Sequence, residues 1–161
     1  MKTTTIHLMH GFIGFGKTTI AKKLAKEYSA VRLNYEDFST IFGRNPINDG
    51  FGEYCKRIGE QIRILAEETI ANGVNIIIDH GHWTKQERAD KWQWAKQLTP
   101  NVIFHVVQCN MKTAKERAVT RTNNKENGTD VTETDFENCQ KRFEPMQDDE
   151  AKNYKIVFHS N

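Results

Sequence analysis

The sequence predicts an α/β fold in which a parallel β-sheet is covered by helices on both faces. Three observations carry that prediction. Short runs rich in β-branched residues alternate along the chain with stretches whose apolar residues recur at helical spacing. The run Val74 to Ile78 is too short for a free helix and apolar enough to be a strand buried on both faces, as strands of a parallel sheet are. A glycine-rich segment, Gly11-Phe12-Ile13-Gly14-Phe15-Gly16-Lys17-Thr18, joins a strand to a helix.

Each element follows from local pattern. Thr4, Ile6 and Leu8 alternate up to Met9, which reads as the first strand. Ile20, Leu24 and Ala25 place a helix over Lys17–Ser29, and Ala30–Asn34 is a second short strand. Asp37–Phe42 reads as a short helix, and Gly43–Gly50 (GRNPINDG) as a loop rich in Gly, Pro and Asn. Tyr54, Ile58, Ile62 and Leu65 form a helical stripe running to about Ala71, where Asn72-Gly73 stops it. After the Val74–Ile78 strand, Thr84 and Glu87 form a capping box that opens a helix to about Leu98. Val102–Val107 is a fourth strand and Lys112–Thr122 a further helix. Asn123–Asp130 (NNKENGTD) is a polar loop, Thr132 caps a helix through Asp135, and Lys155–Phe158 is a last strand.

Composition narrows the classes. A length of 161 residues fits one domain with room for a buried core. Hydrophobic content of 37% and charged content of 27% exclude a disordered chain. A net charge of +2, with acids and bases interspersed, presents no dominant basic face for nucleic acid. Cys55, Cys109 and Cys139 are unevenly spaced without a C-x-x-C pair, which fits reduced thiols in the cytoplasm. Met1 to Thr5 carry no long apolar region, and no run approaches the roughly 20 apolar residues of a membrane helix.

The glycine segment matches the phosphate-binding P-loop pattern G-x-x-x-x-G-K-[ST]. Its glycines let backbone N–H groups turn toward phosphate oxygens, and the helix that follows presents its positive end to the same anion. The expected nucleotide-binding set is Gly11, Phe12, Ile13, Gly14, Phe15, Gly16, Lys17, Thr18 and Thr19. Lys17 suits the β- and γ-phosphates, and the Thr18 hydroxyl suits Mg²⁺. Asp79, at the end of the apolar strand, is placed to hold Mg²⁺ directly or through water, because ligands bind beyond the carboxyl ends of strands in open α/β sheets. His80, His82 and Trp83 follow it and are expected to line an acceptor pocket; two histidines without a nearby cysteine are too few for zinc. His10 reads as a packed strand-end residue. Trp92 and Trp94 lie two apart and cannot share one helical face. Asn124-Lys125-Glu126-Asn127 falls one residue short of the guanine-reading N-K-x-D, which favours ATP over GTP.

With these segments in order, the chain resembles the small bacterial P-loop kinase-like ATPases, the AAA-family ATPases akin to chloramphenicol phosphotransferase, zeta-toxin and polynucleotide kinase domains. The resemblance rests on HGFIGFGKTT, AVRLNYEDF with the following IFG, NIIIDHGHWTKQER, the Arg117-x-x-x-Arg121 pair and TDFENCQKRFEP. It implies a P-loop NTPase fold, a kinase-type three-layer sandwich with a five-stranded parallel sheet in the order 2-3-1-4-5 and a small lid at about residues 117–135. It also implies a catalytic carboxylate just after the second strand. Gapless matching gives Glu36, and the next acid is Asp37; the family has Asp-Glu where this chain has Glu-Asp. Of the two, Glu36 is expected to be the base and Asp37 to cap a helix beginning near Phe38. Arg117 and Arg121, four apart on one helical face, are implied to meet the nucleotide from the lid.

The function so implied is an ATP- and Mg²⁺-dependent phosphotransferase acting on a hydroxyl of a small molecule or nucleotide. The competing readings are an ATP-binding or hydrolysing module without kinase activity, and a nucleic-acid 5′-hydroxyl kinase. The latter has only Lys56, Arg57 and Arg63 in its favour. Expected partners are ATP and the acceptor, with the chain a monomer or homodimer.

Overall fold

A computed structural model of the chain describes residues 3–41, 51–124 and 130–161. Five strands form one all-parallel sheet: β1 (Thr5–His10), β2 (Ala30–Asn34), β3 (Asn75–Asp79), β4 (Asn101–Gln108) and β5 (Ile156–Ser160), in the order β2-β3-β1-β4-β5. This is the implied 2-3-1-4-5 order. The helices are α1 (Lys17–Glu27), α2 (Tyr35–Ile41), α3 (Phe51–Ala71), α4 (Lys85–Leu98), α5 (Met111–Asn123), α6 (Glu133–Gln140) and α7 (Asp148–Ala151). The expected loop Gly43–Gly50, the end of the short helix at Phe42 and the middle of the polar loop at 125–129 lie outside the described residues.

Strand alternation sorts the core into two layers. Ile6, Leu8, Ile76, Ile78 and Phe104 face one way and meet Ile58, Ile62, Ala66 and Ile70 of α3 and Ala95 of α4. Met9, Ile77 and Val107 face the other way and meet Ala21 and Leu24 of α1, Ala114 and Ala118 of α5, and Phe136 of α6. Both faces of the sheet are therefore dry at its centre, which is why β3 reads as a continuous apolar run. Trp92 stacks on Phe104 at a centroid distance of 5.7 Å, while Trp94 turns aside to donate its indole N–H to Glu67 at 3.1 Å.

The capping box at Thr84 and Glu87 forms as expected, and a second one joins Thr132 to Asp135. Two expectations need correction. The helix after β2 begins at Tyr35, and its cap is Asn34, whose Oδ1 accepts from the Asp37 amide at 3.0 Å. Asp37 therefore sits inside the first turn and does not cap. The last strand runs two residues beyond Phe158, since Val107 and Gln108 of β4 pair with His159 and Ser160.

A buried ion pair holds the segment after β3 in place. The Arg88 side chain is 0% exposed; Nε and Nη2 donate to Glu150 of α7 at 2.5 and 2.7 Å. Its Nη1 donates to the carbonyls of His82, Trp83 and Glu144 at 3.2, 2.9 and 2.8 Å. One guanidinium thus ties the start of α4, the loop after Asp79 and the chain entering α7.

Four histidines are packed into the interior. His7 and His105 are joined from Nδ1 to Nε2 at 2.9 Å, and His105 continues to His159 at 2.9 Å, forming a row across β1, β4 and β5. His10 donates from Nδ1 to the carbonyls of Gly81 and His82, and His82 donates from Nδ1 to that of Met9 at 2.7 Å. Burial pushes His7 and His10 down to about 4 and His105 to about 3, and holds His82 well below its ordinary value. These rings are neutral when folded and protonate near pH 6.5 once unfolded, so the unfolded chain binds more protons below that pH. Stability is expected to be fully present above pH 6.5 and to fall as pH drops toward 4. The slope reaches up to about 1.4 kcal/mol per pH unit for each histidine. Urea midpoints measured between pH 7.5 and 4.5 check this; a midpoint constant across that range would contradict it.

Candidate functional site

A cavity of about 1020 Å³ opens beyond the carboxyl ends of β1, β2 and β3. From the glycine segment it receives Ile13, Gly14, Gly16, Lys17, Thr18 and Thr19. The side chains of Phe12 and Phe15 turn away into the core, where Phe12 packs on Trp83, Phe136 and Phe143 at 5.0–5.3 Å. They anchor the loop and leave only their backbone to a ligand. Gly11 is likewise buried beneath it.

Two glycines are required by geometry. Gly14 has φ 76°, and a Cβ there would lie 2.2 Å from the Ala114 carbonyl oxygen of α5. Gly16 has φ 90° and stands at the N-cap of α1 without a side-chain cap, so the first amides of the helix are left to the cavity.

Lys17 closes the loop on itself, its Nζ donating to the Phe12 carbonyl at 2.8 Å. Burial lowers its pKa to about 8, against the opposing pull of Asp79 and Glu36; Arg121 pushes it down further. Those influences place one cation, two carboxylates and a guanidinium around the same space.

Asp79 ends β3 in register with Asn34 at the end of β2. Its Oδ2 accepts from Asn34 Nδ2 at 2.7 Å and from Arg32 Nη1 at 2.9 Å. Arg32 also pairs with Asp37. Glu36 lines the cavity, whereas Asp37 points out of it toward Arg32. The structure therefore separates the two acids that the sequence leaves side by side. Tyr35, Cys55, His80, Trp83 and Glu87 complete the same wall, with the Tyr35 and His80 rings 4.2 Å apart. His82, expected there, is instead 2% exposed and used structurally. His10 is packed, as expected, stacking on Phe143 at 5.4 Å.

Arg117 and Arg121 of α5 both reach the cavity. Arg117 donates to Cys109 Sγ at 3.6 Å. Arg121 carries a buried Nε that has no hydrogen-bond partner. The Arg117 and Arg121 guanidiniums and the Lys17 ammonium line one cavity, a set of charges that fits a polyphosphate. The oxygen donors of Thr18 and Asp79 fit Mg²⁺, which prefers hard oxygen ligands.

Sequence reasoning missed several contributors. Arg32 and Asn34 hold Asp79; Arg142, just after α6, lines the cavity. Asn161 donates from Nδ2 to the Phe15 carbonyl at 2.8 Å and lies against Gly16. Arg142 falls inside the TDFENCQKRFEP segment, and Arg32 is a lone charge within a strand, so both carried a signal; Asn161 carried none.

No protein of curated function matches the chain. Among solved structures it is similar to a candidate kinase from Chloroflexus aurantiacus, with TM-score 0.72 and 17% identity over 99% of this chain and 86% of the other. It is also similar to Chaetomium thermophilum Kti12 in complex with ADP-AlF3, with TM-score 0.73 and 14% identity over 96% and 88%. A gluconokinase from Sinorhizobium meliloti matches with TM-score 0.61 and 12% identity over 99% and 83%. At these identities the likeness shows a shared fold. The model of one family, described as AAA domain, matches residues 6–146, which carry the glycine segment, Asp79 and both arginines of α5. The chain belongs to the AAA domain family.

Proposed function

We propose that the chain is an ATP- and Mg²⁺-dependent phosphotransferase that phosphorylates an alcohol. One observation carries this reading: Lys17, Thr18, Asp79, Glu36 and Arg121 line a single cavity. Gly14, Gly16 and the first turn of α1 would cradle the phosphates, with Lys17 leaving the Phe12 carbonyl for the β- and γ-oxygens. Mg²⁺ held between Thr18 and Asp79 would neutralise charge on those phosphates. Glu36 accepts the proton of the acceptor hydroxyl. The acceptor oxygen forms its bond to the γ-phosphorus as the bond to the β-phosphate oxygen breaks, and ADP leaves. Arg121 and Arg117 steady the charge that accumulates between them. Positioning and electrostatics do most of the catalysis. The gluconokinase and the candidate kinase of the same fold support a kinase.

Among the described residues, the cations of the cavity are Lys17, Arg117, Arg121 and Arg142, from the glycine loop and the lid segments. The wall with Glu36 and Glu87 has aromatic rings and carboxylates instead, which favours a small uncharged or cationic alcohol over a nucleic-acid end. ADP release from ATP·Mg²⁺ is measured against sugars, aminoglycosides, nucleosides and 5′-hydroxyl oligonucleotides. Stimulation by an alcohol, with a phosphorylated product, is expected. ATP hydrolysis indifferent to every acceptor would favour a nucleotide-driven module.

A further inference from the structure

Arg32 stands on β2, yet its guanidinium holds carboxylates on two other elements. Nη1 donates to Asp79 Oδ2 at 2.9 Å at the end of β3, and Nη2 pairs with Asp37 in the first turn of α2. The Asp79 side chain is 1% exposed and that of Asp37 57%, so the guanidinium links a deep carboxylate to a surface one. Asn34 Nδ2 lands on the same Oδ2. Two donors on one oxygen fix the rotation of the Asp79 carboxylate and leave Oδ1 for the cavity, as hydrogen-bond donors behind metal-binding carboxylates orient them elsewhere.

We propose that Arg32 is a positioning residue that sets the Mg²⁺ affinity of Asp79 and ties it to α2, the helix that carries Glu36. This rests on the reading that Asp79 and Thr18 hold Mg²⁺. The physical argument is charge sharing. A guanidinium divided between two carboxylates neutralises each only in part. Without Asp37, its whole charge falls to Asp79 and opposes a cation there. Without Arg32, Asp79 presents its full charge to the metal, and the influence of Asp37 has no route to it. Reciprocity then requires that Mg²⁺ binding and the placement of α2 affect one another.

The test is a Mg²⁺ titration of fluorescent ADP binding to the full chain and to Arg32→Gln, Asp37→Asn, the double variant and Asp79→Asn. Half-saturating Mg²⁺ is expected to fall about tenfold in Arg32→Gln and to rise about threefold in Asp37→Asn, the sizes expected for a unit charge and a fraction of one beside the site. In the double variant the Asp37 effect should vanish. Curves for Arg32→Gln and Asp37→Asn that overlay the parent, while Asp79→Asn abolishes the Mg²⁺ dependence, would overturn the coupling and leave the metal reading standing. Strict additivity in the double variant overturns it too. Unchanged Mg²⁺ dependence in Asp79→Asn removes the metal reading and this proposal with it. Should Arg32→Gln fail to fold, the exposed Asp37→Asn decides alone: a threefold rise in half-saturating Mg²⁺ supports the proposal, and its absence refutes it.

Discussion

Glu36→Gln is expected to slow acceptor phosphorylation by roughly 10²–10⁴-fold, the range lost when a positioned general base is removed. Glu36 is the acid after β2 that faces the cavity, and its charge reaches Lys17 across it. Glutamine keeps the size and the hydrogen-bonding capacity of the side chain, so only the ability to take a proton is lost. ATP affinity should change little, since in the proposed reaction Glu36 serves the acceptor and not the nucleotide. Asp37→Asn, with its side chain committed to Arg32, should cost less than about tenfold at saturating Mg²⁺. Single-turnover transfer to whichever alcohol stimulates ADP release separates the two. A large loss in Asp37→Asn beside an active Glu36→Gln would move the base to Asp37.

The second large effect is on stability. Arg88→Met should destabilise the fold by about 3–5 kcal/mol, because Glu150 is left charged and buried without its partner. The Glu144 carbonyl loses its side-chain donor at the same time, and those of His82 and Trp83 each lose one of two donors. For a chain of this size that loss lowers the melting temperature by roughly 6–20 °C. Replacing both partners, Arg88→Met with Glu150→Leu, removes the stranded charge and should recover part of the loss. Urea unfolding of the three proteins measures each step. A single variant within about 1 kcal/mol of the parent would mean that water reaches the pair and screens it.

What the sequence discloses and what it hides follow one physical line. The capping box at Thr84 and Glu87, the stripe of Ile58 and Ile62, and the doubly buried β3 all depend on neighbours within a few residues, and each was readable. The P-loop was readable for the same reason, since its chemistry requires fixed spacing. Contacts made across the sheet were not. Arg32 meets Asp79 from 47 residues away and Arg88 meets Glu150 from 62, and no local pattern announces either. The four-residue α7 is too short for periodicity; it is held by the buried Glu150. The cap of α2 was misplaced because Asn34 and Asp37 are both good caps, and pairing of β2 with β3 decides in favour of Asn34, where the strand ends. Within the cavity, the glycine segment, Asp79, Glu36, His80 and Trp83 were legible and the rest of the wall was not. Tyr35, Cys55 and Glu87 meet there only because α2, α3 and α4 pack on one side of the cavity.

The central claim is that Lys17 binds the phosphates of ATP, and its lowered pKa gives that claim a signature. Free Lys17 titrates near pH 8, whereas a bound triphosphate would hold the proton on it. Binding above that pH must therefore take up a proton. Calorimetric titration of ATP·Mg²⁺ between pH 7 and 10 on the parent and on Lys17→Met tests it. In the parent, affinity should be nearly constant up to pH 8 and then fall toward about tenfold per pH unit, the slope of one linked proton. Lys17→Met should bind roughly 10–150-fold more weakly, the cost of a charged hydrogen bond, with that pH dependence gone. Equal affinities and parallel pH profiles for the two proteins would contradict the account.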